Sequence, residues 1–359
     1  GVMLAIPWTL IHEWLRSQST PVPPIERTGV AMTFLSLDAA QADATRQLIN
    51  EVLVKEGLTV LGWRPVPLVP EVLGPNARAV QPGIEQVIVT SETLAGDDLE
   101  RRLYLARRAV GKAVDAHPML NWSDDVYICS FSTRTVVYKA MVRSSVLPEF
   151  YPDLSNPDYV SAFAVYHRRF STNTMPKWPL AQPMRMLGHN GEINTLLGNI
   201  NWMKARGADL AHPNWGDRIE TLKPVVDVNI SDSANLDNAF ELLVRTGRSP
   251  LEALMLLVPE AYKNQPELEK YPEIVDFYEY YSGIQEPWDG PALLAFSDGQ
   301  VVGAGLDRNG LRPARYVLTR DRLVLVSSEA GVVDIPASDI IEQGRLGPGQ
   351  MVAVDLKDG

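Results

Sequence analysis

The sequence has 359 residues, 45% of them hydrophobic, and carries a formal net charge of −11. That length and apolar content allow one large or two modest domains with a full core. An acidic chain offers no basic face, which argues against nucleic acid or an anionic membrane as a partner. The single cysteine excludes an internal disulfide framework and a multi-cysteine metal or iron–sulfur site within the chain.

The start of the sequence and its cysteine content bear on the cellular location of the protein. The first apolar stretch is short and has no basic segment before it, so the sequence predicts neither a signal peptide nor a membrane span. The low cysteine content fits a reducing compartment. We therefore predict a cytoplasmic protein.

Helix and strand patterns alternate along the first part of the chain. Residues 9–16 have a helical pattern that the proline-rich stretch after them cannot continue. A strand over 29–37 precedes a helix over 41–56. The proline-rich piece 65–75 predicts an extended surface loop.

The amphipathic segment 97–114 predicts a longer helix. Its apolar side chains share one helical face, which we interpret as core packing rather than a partner site: Leu99, Leu103, Ala106 and Val110. Asp98 and Arg102 are spaced i,i+4 on the other face. The alternating run 126–131 predicts a strand in which Cys129 is a buried small hydrophobe rather than a nucleophile.

Capping and turn signals predict the helix ends and hairpins of the second half of the chain. Ser249 and Glu252 form a capping-box pattern with Pro250 at the first helical position, and the preceding helix is predicted to end at Gly247. Further on, two pairs of short strands predict hairpins, the first around an Asp-Gly turn: 292–296 with 301–304, and 315–318 with 323–327. Strand-rich ends around a helical middle predict an α+β fold.

Asn190 and Gly191 end an apolar run and could place two hydrogen-bond donors on one point. An Asn-Gly pair favours a turn with positive φ, which can aim one backbone N–H and one carboxamide N–H together. Two neutral donors of this kind suit an oxyanion. His189 is predicted to orient the turn through hydrogen bonds, with Glu192 and Asn194 locking it from behind. By itself the pair would more commonly be an ordinary hairpin turn.

Three further residues could hold an amino acid by its head group. Arg169, at the end of the alternating run 162–166, offers a planar fork that fits a carboxylate, and Thr172 follows closely. Asp232, between two serines and before a helix, could accept hydrogen bonds from an α-ammonium group. Each has a commoner role alone, as a surface ion pair or a helix cap. Together they predict an amino-acid amide as substrate.

Other chemistries are less well supported. The segment 303–308 begins like a dinucleotide fingerprint but has Arg308 in the sixth position and follows a hairpin, which disfavours a Rossmann fold. The histidines are scattered, and His12 has no second histidine at helical spacing, so no metal site is predicted. Asp307, Arg308 and Arg312 are interpreted as a buried ion network, with a surface facing a neighbouring domain as the alternative.

The joint pattern resembles the N-terminal glutamine amidotransferase domain of the glutamate synthase large subunit, a class II amidotransferase with the N-terminal-nucleophile (Ntn) hydrolase fold. Further stretches carry the same resemblance over nearly the whole chain: EGLTVLGWR at 56–64, LERRLY at 99–104, WPLAQP at 178–183, EPWDGP at 286–291 and LDRNGLRPARY at 306–316. The resemblance implies a four-layer αββα sandwich of antiparallel sheets. It also implies one amidotransferase domain with insertions over 1–359, N-terminally incomplete and without the downstream synthase domains.

The resemblance implies a role for each candidate residue. Arg169 with Thr172 would hold the carboxylate of L-glutamine, Asp232 its α-amine, and Asn190 with Gly191 the oxyanion. The family's nucleophile is an N-terminal cysteine whose own α-amine acts as the base. This sequence begins like an internal part of that domain and has no such cysteine. We therefore expect the polypeptide as written to hydrolyse no glutamine, although its parent does.

For the parent enzyme, the resemblance implies that released ammonia passes to downstream domains and reacts there with 2-oxoglutarate. Those domains would hold FMN and an iron–sulfur cluster, with ferredoxin or a small electron-donating subunit as a partner, whereas this domain would hold no cofactor. Two alternatives remain open. One is another class II amidotransferase, and the other is a non-catalytic module that binds glutamine or glutamate without a nucleophile.

Overall fold

The computed structural model describes residues 1–120, 126–169 and 175–357. The chain divides into two compact units. Unit 1 comprises Gly1–Arg185 and Leu210–Lys223, and unit 2 comprises Met186–Asp209 and Pro224–Gly359. The prediction of a single domain over 1–359 stays a prediction.

The helices follow the chain in this order: α1 (Trp8–Ser17), α2 (Ala39–Lys55), α3 (Pro75–Ala79), α4 (Gly96–Asp115), α5 (Leu147–Phe150), α6 (Leu196–Gly207), α7 (Ile219–Leu222), α8 (Asp232–Thr246), α9 (Pro250–Leu257) and α10 (Pro272–Ser282). The helices predicted over 9–16, 41–56 and 97–114 are confirmed as α1, α2 and α4. In the part of the chain that the structure describes, no helix is both long and apolar enough to cross a bilayer.

The strands of unit 1 are β1 (Val2–Ala5), β2 (Thr28–Leu35), β3 (Thr59–Pro65), β4 (Gly83–Thr90), β5 (Val126–Ser132), β6 (Thr135–Tyr138) and β7 (Ala164–Tyr166). They form a four-stranded sheet in the order β3-β4-β2-β5 and a three-stranded sheet in the order β6-β1-β7. The strands predicted over 29–37 and 126–131 are confirmed as β2 and β5. The predicted surface loop 65–75 is partly buried, because Val66 and Leu73 are only 5% and 7% exposed.

The core of unit 1 lies where α2 and α4 pack on the four-stranded sheet. The four apolar residues predicted on one face of α4 are all fully buried, which confirms their role in core packing. Asp98, which is spaced i,i+4 with Arg102, pairs with Arg101, which is also a surface neighbour on a helix. Arg102 donates to the carbonyl oxygen of Glu56 at 2.6 Å, at the C-terminal end of α2 where carbonyls lack helical partners.

The strands of unit 2 are β8 (Leu187–Gly191), β9 (Ala292–Ser297), β10 (Val301–Leu306), β11 (Arg315–Thr319), β12 (Val324–Ser327), β13 (Ile340–Arg345) and β14 (Met351–Asp355). They form sheets in the orders β14-β10-β9-β8 and β12-β11-β13. Both predicted hairpins are confirmed, as β9 with β10 and as β11 with β12. Within the described residues β8 is therefore an edge strand, bonded to β9 alone.

Helices α8 and α9 begin and end as their sequence signals predict. Ser231 caps α8 by accepting from the N–H of Ala234 at 3.2 Å, and α8 ends at Gly247, whose φ of 121° suits glycine. Ser249 and Glu252 form the predicted capping box at the start of α9. Both units thus combine helices with sheets whose described pairings are all antiparallel, which confirms the predicted α+β class. The αββα layering is an expectation from the family resemblance.

Candidate active site

The candidate site in unit 2 is built on β8 and the turn that follows it. The strand is anchored at its start by Asp237, a fully buried residue of α8. Its Oδ1 atom accepts from the N–H groups of Met186 and Leu187 at 2.9 and 3.1 Å. A carboxylate that accepts two backbone N–H bonds in a buried place fixes both groups firmly. The position of β8 relative to α8 is therefore set before the chain reaches Asn190.

The ladder between β8 and β9 determines where the backbone of Gly191 points. In an antiparallel pair, residues that exchange hydrogen bonds alternate with residues that do not. Ser297 donates its N–H to the carbonyl of Met186 at 2.9 Å, and Glu192 donates its N–H to the carbonyl of Pro291 at 3.3 Å. The even-numbered residues of β8 are thus the ones that exchange backbone hydrogen bonds with β9. The N–H of Gly191 faces the open edge of the strand.

Ala292, which lies opposite Gly191, supports this geometry. Its N–H donates to Oδ1 of Asp307 at 3.0 Å, and its carbonyl accepts from the N–H of Asp307 at 3.1 Å. The polar backbone atoms of Ala292 therefore face away from β8. Among the residues that the structure covers, the N–H of Gly191 has no acceptor, so this donor is available to a ligand.

Only glycine fits at position 191. Its φ is 151°, and a Cβ added there would lie 1.8 Å from the carbonyl oxygen of Pro291. The segment before β9 approaches the turn just as closely, since a Cβ added to Gly290 would lie 1.9 Å from the carbonyl oxygen of Glu192. Two backbones meet here without side chains between them. This contact explains why the sequence has glycine in both segments.

Asn190 is half-buried, and its carboxamide makes no hydrogen bond within the described ranges. Successive side chains of a strand point to opposite faces of a sheet. Asn190 therefore lies on the face opposite to His189, which is buried against α8. Use of this carboxamide together with the N–H of Gly191 as a pair of oxyanion donors stays a prediction.

Asp232, Ser233 and His189 form a polar cluster at the start of α8. Oδ1 of Asp232 accepts from the N–H of Ser233 at 2.7 Å, and Nε2 of His189 lies 2.8 Å from the hydroxyl of Ser233. Burial lowers the pKa of His189, partly opposed by the charge of Asp232, which lies 3.9 Å away. The imidazole is therefore neutral at pH 7. The predicted orienting role of His189 is consistent with these bonds, and Ser231 is also the helix cap that the simpler interpretation predicted.

The backbone N–H groups of Glu192 and Asn194 hold the turn. The N–H of Glu192 donates to Pro291, and the N–H of Asn194 donates to the carbonyl of Asp289 at 2.8 Å. Both side chains are exposed. No local pattern marks Asp289 as a residue of this turn, although the EPWDGP stretch that contains it contributes to the family resemblance.

The predicted ion network of Asp307, Arg308 and Arg312 is wrong. Asp307 is buried, but its carboxylate accepts from backbone N–H groups, among them that of Asn309 at 2.8 Å. Arg308 pairs with Asp289 at 2.6 Å instead. Backbone donors satisfy a buried carboxylate without bringing the bulk of a guanidinium group into the same place.

Arg169 belongs to unit 1. Arg169 is exposed and follows β7. Thr172 lies outside the described residues. Their part in binding a substrate carboxylate stays a prediction.

Cys129 is fully buried in β5, as predicted, and burial raises the pKa of its thiol to about 12. Since the thiol is neutral and enclosed at pH 7, we expect a thiol reagent to leave the native chain unlabelled and to label it once after denaturation. Mass spectrometry of both samples checks this. Labelling of the native protein at the rate of the denatured one would contradict it.

The described site holds two neutral donors, one carboxylate and one neutral imidazole. Outside the gaps at 121–125, 170–174 and 358–359, no group of three or more His, Cys, Asp or Glu side chains could hold a metal ion. The arrangement can bind an ammonium group and stabilise a developing negative charge. The single thiol of the sequence, Cys129, is buried in unit 1.

Known proteins match the chain over its whole length. It is 61% identical to ferredoxin-dependent glutamate synthase 2 of Synechocystis sp., with 100% of this chain and 23% of that protein covered. It is 54% identical to the ferredoxin-dependent glutamate synthase of Pyropia yezoensis, with 99% and 23% covered. A third relative, the chloroplastic ferredoxin-dependent glutamate synthase of Oryza sativa subsp. japonica, is 52% identical, with 100% and 22% covered. The chain therefore spans about a quarter of the length of these relatives.

A solved structure of glutamine phosphoribosylpyrophosphate amidotransferase from B. subtilis, complexed with ADP and GMP, also matches. The match covers 92% of this chain and 47% of the chain in that structure. Its sequence identity of 13% and TM-score of 0.33 are too low to support an inference. The family model described as class-II glutamine amidotransferases matches residues 1–359. This match confirms the family resemblance predicted from the sequence and supports the Ntn-hydrolase fold that came with it. The chain belongs to the class-II glutamine amidotransferases.

Proposed function

We propose that this chain is the glutaminase domain of a ferredoxin-dependent glutamate synthase. The names of relatives that are 50% to 61% identical across the chain support this choice over another class II amidotransferase. The chain would bind L-glutamine and release ammonia for transfer to 2-oxoglutarate elsewhere in the parent protein. Ferredoxin would then be the electron donor.

One observation carries the proposal. The N–H of Gly191 faces the open edge of β8, and the carboxamide of Asn190 beside it has no partner in the described part of the chain. Donors held in place before substrate arrives stabilise an oxyanion without reorganising. A carbonyl that becomes a tetrahedral oxyanion is the species that such a pair fits.

The reaction follows from these assignments. A thiolate would attack the carboxamide carbon of glutamine, and the electron pair of its C=O bond would move to the oxygen, which faces Asn190 and Gly191. Collapse of this intermediate would expel ammonia, after its nitrogen takes a proton, and leave a thioester. Water would then release glutamate and regenerate the thiol. Because Cys129 is buried, we assign the thiolate to an N-terminal cysteine of the parent protein, as the family resemblance implies.

The head group of glutamine would be held by charge. We assign its α-ammonium group to Asp232 and its carboxylate to Arg169 with Thr172, as the family resemblance implies. FMN and an iron–sulfur cluster would belong to other parts of the parent, since the one buried cysteine here cannot ligate a cluster. A cytoplasmic location stays a prediction.

Arg169→Lys in the full-length protein tests the carboxylate assignment. Lysine keeps the charge but loses the planar fork, so we expect kcat/KM for glutamine to fall by roughly tenfold to a hundredfold, mainly through KM. Turnover with added free ammonia should persist, because it bypasses glutamine binding. Steady-state kinetics with both nitrogen donors measures the difference, and equal loss of both activities would count against the assignment.

The function itself is tested on the unmodified full-length protein. We expect it to hydrolyse glutamine, to make glutamate from 2-oxoglutarate, and to be labelled once by a thiol-directed glutamine analogue. Ammonia release and mass spectrometry are the measurements. A full-length protein that binds glutamine but shows neither hydrolysis nor labelling would be the non-catalytic module instead.

A further inference from the structure

The carboxylate of Asp232 contacts the oxyanion turn directly. Its Oδ2 atom accepts from the N–H of Ile193 at 3.1 Å, and its Oδ1 atom accepts from the N–H of Ser233 at 2.7 Å. Ile193 follows Gly191 by two residues and is buried. One carboxylate therefore joins the first turn of α8 to the chain that leaves the two proposed oxyanion donors.

A second connection reaches the other end of the turn. The hydroxyl of Ser233 lies 3.3 Å from Oδ1 of Asp232 and 2.8 Å from Nε2 of His189. A carboxylate has no proton to give, so the hydroxyl donates to Asp232 and accepts from the protonated Nε2 of a neutral His189. His189 is 4% exposed and directly precedes Asn190. Hydrogen bonds thus bracket the donor pair on both sides.

We infer that Asp232 fixes the oxyanion turn as well as binding the substrate ammonium, and that His189 is a positioning residue that acts on Asp232 through Ser233. We call His189, Asp232, Ser233 and Ile193 the turn latch. This inference rests on the proposed function. The latch aligns the two oxyanion donors, so it contributes to the chemical step and not only to substrate binding.

The latch couples recognition of the α-amino group to catalysis. The substrate ammonium group would bind the carboxylate of Asp232. The same carboxylate already accepts a hydrogen bond from the N–H of Ile193 in the turn. Binding energy from a part of the substrate far from the reacting amide is then used to align the donors. An amide that lacks the α-amino group, such as glutaramic acid, should therefore lose kcat as well as affinity.

The decisive experiment is a double-mutant cycle in the full-length protein. His189→Leu removes the donor and Ser233→Ala removes the bridge, so each should lower the glutamine-dependent kcat by about tenfold. Because both act along one path, the double variant should lose about as much as the more affected single variant. Turnover with free ammonia should stay within about twofold. His189→Gln, which keeps an N–H donor near the position of Nε2, should recover most of the activity.

Ser249→Ala is the matched control. It removes a helix-capping hydroxyl from α9 but lies in a capping box outside the latch. Thermal unfolding of every variant separates lost stability from lost alignment. If His189→Leu does not fold, Ser233→Ala and His189→Gln carry the test through their kcat values.

Three results would overturn the inference: independent, multiplicative losses in the double variant, a rise in KM with kcat unchanged, or equal loss with glutamine and with ammonia. Failure of the proposed function would look different. The unmodified full-length protein would then show no glutamine-dependent activity, before any variant is made.

Discussion

Asn190→Ala in the full-length protein is expected to lower the glutamine-dependent kcat by roughly two to three orders of magnitude. The carboxamide is one of two proposed donors to the oxyanion, and removal of one such donor acts on the transition state more than on the bound substrate. KM for glutamine should therefore change by no more than about threefold. Initial rates of glutamate formation at saturating glutamine measure the effect.

Asn76→Ala is a suitable control, because it also removes an amide, from an exposed position of α3 in unit 1. It should leave both activities within about twofold of the unmodified protein. Turnover with free ammonia should be intact in both variants. If Asn190→Ala retained more than about a third of the glutamine-dependent kcat, the side chain would not be an oxyanion donor.

Gly191→Ala is expected to be more disruptive, because it changes structure and activity together. The added methyl group would lie 1.8 Å from the carbonyl oxygen of Pro291, in a backbone conformation that favours glycine. Backbone strain and overpacking together should cost roughly 2 to 5 kcal/mol of unfolding free energy. Since the turn must move, glutamine-dependent turnover should fall by at least about a hundredfold. Thermal unfolding and steady-state kinetics measure the two effects.

Gly198→Ala provides the contrast. This glycine lies in α6, and a Cβ added there meets no atom within 4 Å. Alanine should stabilise the helix by about 0.5 to 1 kcal/mol and leave activity unchanged. A Gly191→Ala variant as stable and as active as Gly198→Ala would contradict the close backbone contact at the turn.

The helices and hairpins that local signals predicted are all present in the structure. The apolar face of α4, the capping box at Ser249 and the Asp-Gly turn between β9 and β10 each depend on residues close in sequence. Their physics is contained within one element and its caps. Element ends shifted by one or two residues, which is the usual fraying of such boundaries.

The contacts of single charged residues were harder to predict. Asp237 and Asp307 accept backbone N–H bonds from strands 50 and 15 residues away along the chain. Residue type shows that a carboxylate needs partners when buried, but not whether those partners are guanidinium or backbone groups. The predicted ion network at Asp307 failed for this reason.

For the candidate site, the sequence predicts the residues and the structure adds their hydrogen bonds and burial. Asn190, Gly191 and Asp232 were recognised as a joint pattern, whereas the open edge of β8 required the register with β9. The two interpretations of the Ser-Asp-Ser segment are also compatible. Ser231 caps α8 while the adjacent Asp232 carboxylate holds the turn at Ile193.

The central claim is that a glutamine-derived oxygen binds between Asn190 and Gly191. The most direct measurement is a crystal structure of the full-length protein after reaction with a thiol-directed diazo-ketone analogue of glutamine. We predict that the ketone oxygen of the adduct lies about 2.7 to 3.2 Å from both the backbone nitrogen of Gly191 and the carboxamide nitrogen of Asn190. An adduct whose oxygen contacts neither nitrogen, with both more than about 4 Å away, would contradict the proposed site.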